Sequence, residues 1–211
     1  MIETPQEVNI KMSGDVKAGW CGTILDVDLT IGSIARSKLD RDDARLFLGG
    51  RGLNSKTLFD RVPPGADPLG PDNILCIAPG LLTATLLGLS SRLQVSTLSP
   101  YSGILGDGNA GGAFAYVMKR AGYDQIIVSG QAESPLYLWI DDDKVTLRPA
   151  DELWGTSVWE TTDRLTQRHG GNTSVASIGH AGEKLVRLAS TMVDKYASAA
   201  RGLGAVWGST R

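Results

Sequence analysis

The sequence is poor in the residues from which most catalytic centres are built. Its 211 residues include two cysteines, Cys21 and Cys76, and two histidines, His169 and His180. A four-cysteine zinc or iron–sulfur site cannot be assembled from this chain alone, and each cysteine reads as a buried small hydrophobe. There is no Gly-x-Ser-x-Gly elbow and no His-Glu-x-x-His pair, so acyl-enzyme and zinc-peptidase chemistry lack their usual frames. His169, within Gln167-Arg168-His169-Gly170-Gly171, reads as a surface turn residue. Of the two histidines, His180 in Ile178-Gly179-His180-Ala181-Gly182 is the better functional candidate.

Long apolar runs are also missing. None reaches the roughly 18 residues of a membrane span. The polar start, residues 1–18, has neither the basic nor the apolar region of a secretory leader. The expected address is cytoplasmic. Neither sign of charge dominates: 21 basic and 23 acidic residues give a net charge of −2. Without a basic run, nucleic acid is not an expected partner. The run Asp141-Asp142-Asp143 reads as a solvated hairpin tip, not a metal site.

Glycine is what the chain has in excess, with 26 residues against a usual share of about 7%. Many backbone positions must lie close to something or take positive φ. Three segments stand out: Leu48-Gly49-Gly50-Arg51-Gly52-Leu53, Gly106-Asp107-Gly108-Asn109-Ala110-Gly111-Gly112, and Arg201-Gly202-Leu203-Gly204-Ala205-Val206-Trp207-Gly208. None has the spacing and following βα unit of a dinucleotide fingerprint, and no phosphate-loop Gly-Lys-Ser/Thr occurs. Arginines accompany them: Arg51 in the first, Arg201 opening the third, and Arg92 ahead of an apolar strand. Exposed backbone beside guanidinium groups suits a phosphate-rich ligand. The second segment precedes a helix, whose N-terminus favours an anion. Tight turns in a compact fold would use the same glycines.

The coarse pattern is α+β. Residues 19–30 and 34–36 read as a hairpin, 41–48 as a helix capped by Asp40, and 53–59 as a second helix. Strands are expected over 74–78, 93–98, 123–129, 136–140, 145–147 and 174–178, and helices over 113–121 and 158–168. Residues 99–112 read as a glycine-rich loop packed against something, while 184–193 fits strand or helix equally well. One domain over 19–211, preceded by an arm over 1–18, is the expected organisation.

The ordered succession GGRGLNSK, DPLGPDN, GLLTAT, SSRLQVSTLSP, GNAGG, KRAGYDQIIVSGQAESPLYLWI, LWGTSVWET, SIGHAGEKLVRLA and RGLGAVWGS closely resembles the aldehyde:ferredoxin oxidoreductase family. The match runs from about Gly19 to Ser209 and resembles the N-terminal domain only. The resemblance implies a β-rich pseudo-barrel with short helices, on which a tungsten (or molybdenum) bis-pterin lies. Aldehydes are oxidised to carboxylates in this family, with electrons passed to ferredoxin.

Carried over residue by residue, the resemblance makes Arg92 the strand-end arginine between pterin and a [4Fe–4S] cluster. It makes Asn109 of GNAGG a holder of the magnesium ion that bridges the pterin phosphates, with a backbone carbonyl near Ser198 or Ala199 as second contact. Arg51, Gly52, Ala110, Gly111, Gly112, Arg201 and Gly202 join them as expected cofactor-binding positions. No catalytic residue is assigned. Leu98 stands where the family commonly has lysine, which removes one cation. The cluster cysteines and substrate channel belong to later helical domains of the family. The expectation is thus a chain incomplete alone, completed by a partner chain or a homo-oligomer, with a stand-alone pterin- or phosphate-ligand module or an inert relic as alternatives. A large apolar patch should mark a surface made to meet other domains, with Trp20, Trp139, Trp154, Trp159 and Trp207 as candidates.

Overall fold

The computed structural model describes residues 19–210, so the arm assigned to residues 1–18 lies outside the described residues. The largest unit is a six-stranded sheet of order β2-β1-β6-β3-β4-β5. Its strands are β1 (Thr23–Asp28), β2 (Ser33–Lys38), β3 (Leu75–Pro79), β4 (Leu93–Leu98), β5 (Leu105–Ala110) and β6 (Gln125–Ser129). β1 and β6 run parallel; every other neighbouring pair is antiparallel.

Strand periodicity gives this sheet two unlike faces. Leu25, Val27, Leu75, Ile77, Leu93, Val95 and Ile126 point to one side and form the main core. Ala115 and Met118 of α3 (Phe114–Arg120) pack on them. The other face carries Cys76, Gln94, Ser96, Gln125 and Ile127, all buried. It lies beneath α1 (Arg41–Phe47) and α2 (Arg51–Arg61), the second of which buries Leu53, Asn54 and Leu58. Each fully buried leucine contributes about 1.5–3 kcal/mol. Asp40 caps α1 by accepting from the amides of Asp42 and Asp43, which fixes where the chain enters this layer.

The remaining elements close over the apolar face. β7 (Leu136–Asp141) pairs with β8 (Lys144–Pro149), and β9 (Ala176–Ser177), β10 (Thr191–Val193) and β11 (Ala197–Ala199) form a small sheet of order β11-β10-β9. α4 (Val158–His169) is capped by Ser157; α5 (His180–Glu183) and α6 (Leu203–Thr210) follow. Val193, Ala199 and Leu203 belong to the main core, and Leu138, Ile140, Val145 and Leu147 pack against it. All three sheets thus share one core, in agreement with the expected α+β pseudo-barrel.

Several local expectations are corrected. The loop expected over 99–112 contains strand β5, because pairing with β4 from Leu93↔Ala110 to Leu98↔Leu105 overrides the low strand preference of Gly106 and Gly108. The third glycine segment continues as helix α6 despite Gly204 and Gly208. The strand expected over 174–178 shrinks to Ala176–Ser177, and 184–193 resolves into a loop followed by β10. His169 ends α4 half-buried, stacked on Trp139 at 3.7 Å between ring centres and hydrogen-bonded to the Tyr137 hydroxyl at 3.2 Å. Trp207 packs against the main core and, with Trp139 and His169, lines a cavity of about 500 Å³. Of the five tryptophans only Trp159 is exposed. Exposed apolar side chains are spread over other elements, among them Phe59 and Tyr196, with Leu82, Leu86, Leu87 and Leu89 together in the β3–β4 connection.

Candidate functional site

The three glycine segments meet along β5, the edge strand of the large sheet. In the first, the Gly50 amide donates to the Pro79 carbonyl at 3.1 Å, which starts α2 beside the end of β3. Arg51 then reaches β5, its Nε 2.5 Å from the Asp107 carboxylate. The third segment passes on the apolar side of the strand. A Cβ on Gly106 would stand 2.6 Å from the Ser99 Cβ and 3.3 Å from the Arg201 carbonyl oxygen; one on Gly108 would stand 2.8 Å from the Ala199 Cβ. Glycine is required at both places because residues 199–203 lie directly against the strand. Ser99 Oγ donates to the Arg201 carbonyl at 2.7 Å and pins that approach.

At the far end, the β4–β5 register brings Arg92 beside Gly111. A Cβ there would lie 3.7 Å from Arg92 Nη1 and 4.0 Å from the Ala197 Cβ. Gly108 against Ala199 and Gly111 against Ala197 show that β5 and β11 run past each other in opposite senses, with Ser198 between the two contacts. The Arg201 main chain, the Arg51 guanidinium and the Arg92 guanidinium therefore lie in turn along the strand, beside Gly106, Asp107 and Gly111. That spacing spans roughly 17 Å of extended chain. All three are exposed. Arg51 is paired with Asp107, whereas Arg92 and Arg201 have no ion-pair partner among the described residues. An edge strand also leaves the backbone groups that face away from β4 outside the sheet ladder.

A buried polar seam underlies this edge, and the sequence reading missed it. Gln94, 6% exposed, uses its Nε2 to donate to the Asp107 carboxylate and to the Gly108 carbonyl at 3.0 Å, while its Oε1 accepts from Asn109 Nδ2 at 3.1 Å. Its own carbonyl accepts from Asn54 Nδ2 at 3.2 Å, and that same amide reaches the Cys76 carbonyl and Ser96 Oγ. Gln125 donates to Asn54 Oδ1 at 2.9 Å and accepts from Thr57 Oγ1 at 3.2 Å. The polar groups so buried are paired, as burial demands. The signal was present in LQVSTL: Gln94 and Ser96 alternate with Leu93, Val95 and Thr97, so one face of an otherwise apolar strand is polar.

The expected site residues separate into three groups by burial. Arg51, Arg92, Asn109, Gly112, Ser198 and Arg201 are exposed. Ala110, Ala199 and Gly202 are buried, while Gly52 and Gly111 lie between. Gly202 (φ +81°) and Gly204 serve packing, since a Cβ on either would stand 2.5 Å from a backbone carbonyl oxygen, that of Arg187 or of Ser190. The anion expected at the start of α3 is supplied by the chain itself: the Ala113 amide donates to Asp194 Oδ2 at 3.2 Å. Asp194 also accepts from Ser174 Oγ and the Val175 amide, so its carboxylate ties α3 to the approach of β9. The Asn109 side chain turns toward Gln94, onto the opposite face of β5 from Ala199.

The remaining candidates stand apart from this edge. His180 lies 3.4 Å from Glu183, whose Oε1 accepts from the Gly155 amide at 2.8 Å. Burial, with Asp124 adding to it, pushes the Cys21 thiol up to about 11, and burial pushes the Cys76 thiol up as well. Protonated thiols at neutral pH accord with structural roles. No cluster of three or more potential metal-ligating His, Cys, Asp or Glu side chains occurs among the described residues.

Fold and site together define an α+β pseudo-barrel domain with a glycine-lined, arginine-flanked edge built for close approach to backbone. Residues 24–211 match the family model described as aldehyde ferredoxin oxidoreductase, N-terminal domain, and the chain belongs to that family. It is 43% identical over 192 residues to a tungsten-containing aldehyde ferredoxin oxidoreductase of Thermococcus kodakarensis, covering 90% of this chain and 32% of that protein. A second of the same description, from Pyrococcus furiosus, is 41% identical over 190 residues, 89% of this chain and 31% of its own length. Among solved structures, the active-site complex BamBC of benzoyl coenzyme A reductase superposes with a TM-score of 0.89 at 40% identity, over 92% of this chain and 30% of that one. The chain thus spans about a third of the length of the curated relatives it matches.

Proposed function

We propose that this chain cradles the phosphate-bearing side of a tungsten or molybdenum bis-pterin within an aldehyde:ferredoxin-type oxidoreductase. The observation that carries the reading is the convergence of the three glycine segments on β5, with Arg92 and Arg201 exposed and without carboxylate partners. The donor set suits the group. Guanidinium groups complement phosphate, and a glycine-lined edge strand offers backbone close to solvent. Such a cofactor supplies two-electron redox chemistry at its metal.

The chain's own residues bind and orient. Arg92 and Arg201 provide uncompensated positive charge at the two ends of β5. Arg51 is held against the strand by Asp107 and adds donors at its middle. Gly111 and Gly112 keep the β5–α3 turn free of side chains, and Gly112 at φ +89° takes a conformation that favours glycine. Asn109 and the Ser198–Ala199 carbonyls would hold a magnesium ion here. Because the Asn109 side chain is turned to Gln94, its main chain is what it offers toward β11. Gly52, Ala110, Ala199 and Gly202 act through backbone shape. The [4Fe–4S] cluster, the substrate pocket and contact with ferredoxin fall to segments beyond those matched here or to a partner chain.

The test is cofactor content in the protein purified from its own host together with whatever chain accompanies it. Arg92→Ala and Arg201→Ala should each lower metal and pterin per folded chain about tenfold, the effect of losing about 1.4 kcal/mol of binding. Both should keep the thermal unfolding midpoint. Earlier melting of both variants with unchanged cofactor per folded chain would make these residues structural.

A further inference from the structure

We infer that Gln94, a residue that reaches no solvent-exposed edge itself, is the positioning residue for the cofactor-facing segment Asp107–Asn109. The inference rests on the cofactor reading above and adds a specific residue to it.

The geometry is a three-point clamp. One carboxamide touches three consecutive residues of β5: the Asp107 side chain, the Gly108 carbonyl and the Asn109 side chain. Only a carboxamide fits that set without rearrangement, because Asp107 and Gly108 present acceptors while Asn109 presents a donor. A carboxylate would face two acceptors, and an apolar side chain would leave all three without this partner. The clamp sets two things. By holding Asn109 Nδ2 it fixes which face of β5 that side chain takes, and so which part of Asn109 is left for a ligand. By holding Asp107 it fixes the carboxylate that carries Arg51.

Gln94 is itself immobilised. Its backbone carbonyl accepts from Asn54 on α2, and the Asn54 amide is locked in turn by Gln125. Pre-organisation of this kind holds a site together through residues that never touch the ligand.

The experiment compares five forms of the purified protein with its accompanying chain: the unaltered protein, Gln94→Leu, Gln94→Glu, Asp107→Asn, and Gln94→Glu combined with Asp107→Asn. The readout is tungsten or molybdenum and pterin per folded chain. Gln94→Leu and Gln94→Glu should each lower loading about tenfold. The double variant again pairs one carboxylate with one amide across β4 and β5; because Asp107→Asn by itself releases Arg51, the comparison is with Asp107→Asn alone, on which Gln94→Glu should cost less than about threefold in place of tenfold. A merely structural residue gives no such rescue of loading per folded chain. If cofactor falls only in proportion to the folded fraction, or Gln94→Glu costs as much on Asp107→Asn as on the unaltered protein, the positioning role is overturned while the cofactor reading stands. If the unaltered protein carries neither metal nor pterin, the cofactor reading fails and this role fails with it.

Discussion

At the scale of single residues, the described part of the chain spends its buried charge on one strong clasp. Lys119 Nζ lies 2.6 Å from Asp124 Oδ1, and both side chains are almost fully buried. Asp124 also accepts from the amides of Cys21 and Gly22, which tethers the start of β1 to the turn after α3. Removing the cation leaves a buried carboxylate without its counter-ion, which costs about 3–5 kcal/mol. Lys119→Met should therefore lower the urea-unfolding free energy by about that much, and a loss below about 1 kcal/mol would contradict the clasp. The Cys21 thiol is partly buried beside this clasp, and burial with the nearby Asp124 raises its pKa to about 11. Native protein at pH 8.5 should react with iodoacetamide at Cys21 far more slowly than urea-unfolded protein.

At the scale of elements, the hairpin β7–β8 is docked onto α4 through the stack of Trp139 on His169. Burial lowers the His169 pKa, and Arg148 and Arg168 lower it further. The unfolded chain therefore binds a proton at His169 more readily than the folded one. The stabilisation tied to neutral His169 is present above the ordinary histidine value and is lost as pH falls through and below it. Between pH 7.5 and 5.5 the unaltered protein should lose stability that His169→Gln does not lose, by thermal unfolding at each pH. Helix α6 makes a second case. Alanine in place of Gly204 would gain roughly 1 kcal/mol of helix propensity, but its Cβ would stand 2.5 Å from the Ser190 carbonyl. Overpacking against backbone costs about 1–3 kcal/mol or more, so Gly204→Ala should lower the melting temperature. A rise would show that the helix can move aside.

These elements also show what the sequence could and could not reveal. β4 was legible to the residue, and α1 nearly so, because an apolar run and an Asp cap are local signals. β5 and α6 were not, because Gly106, Gly108, Gly204 and Gly208 argue locally against strand and helix. Their conformation is set by partners far along the chain: β4 in one case, residues 182–190 in the other. The arginines of the candidate site were legible from their neighbours in sequence. The seam of Asn54, Gln94 and Gln125 was not, since nothing local says that three amides separated by dozens of residues will meet. Nor did the sequence show that Asp194 would take the anion position at α3.

At the scale of the whole molecule, the large sheet separates two tasks. Its apolar face holds the shared core, and its polar face carries the seam that steadies β5 from beneath. The candidate site lies on the one edge where that seam meets three glycine segments. No helix among the described residues is long and apolar enough to cross a membrane. About a third of its relatives' length is represented here, and on the proposed reading that third contributes the binding edge. The most direct measurement is the content of tungsten, molybdenum and pterin in the protein purified from its own host with its accompanying chains. Near-stoichiometric metal with pterin is what the account predicts. A well-folded, fully assembled protein carrying neither metal nor pterin would contradict it.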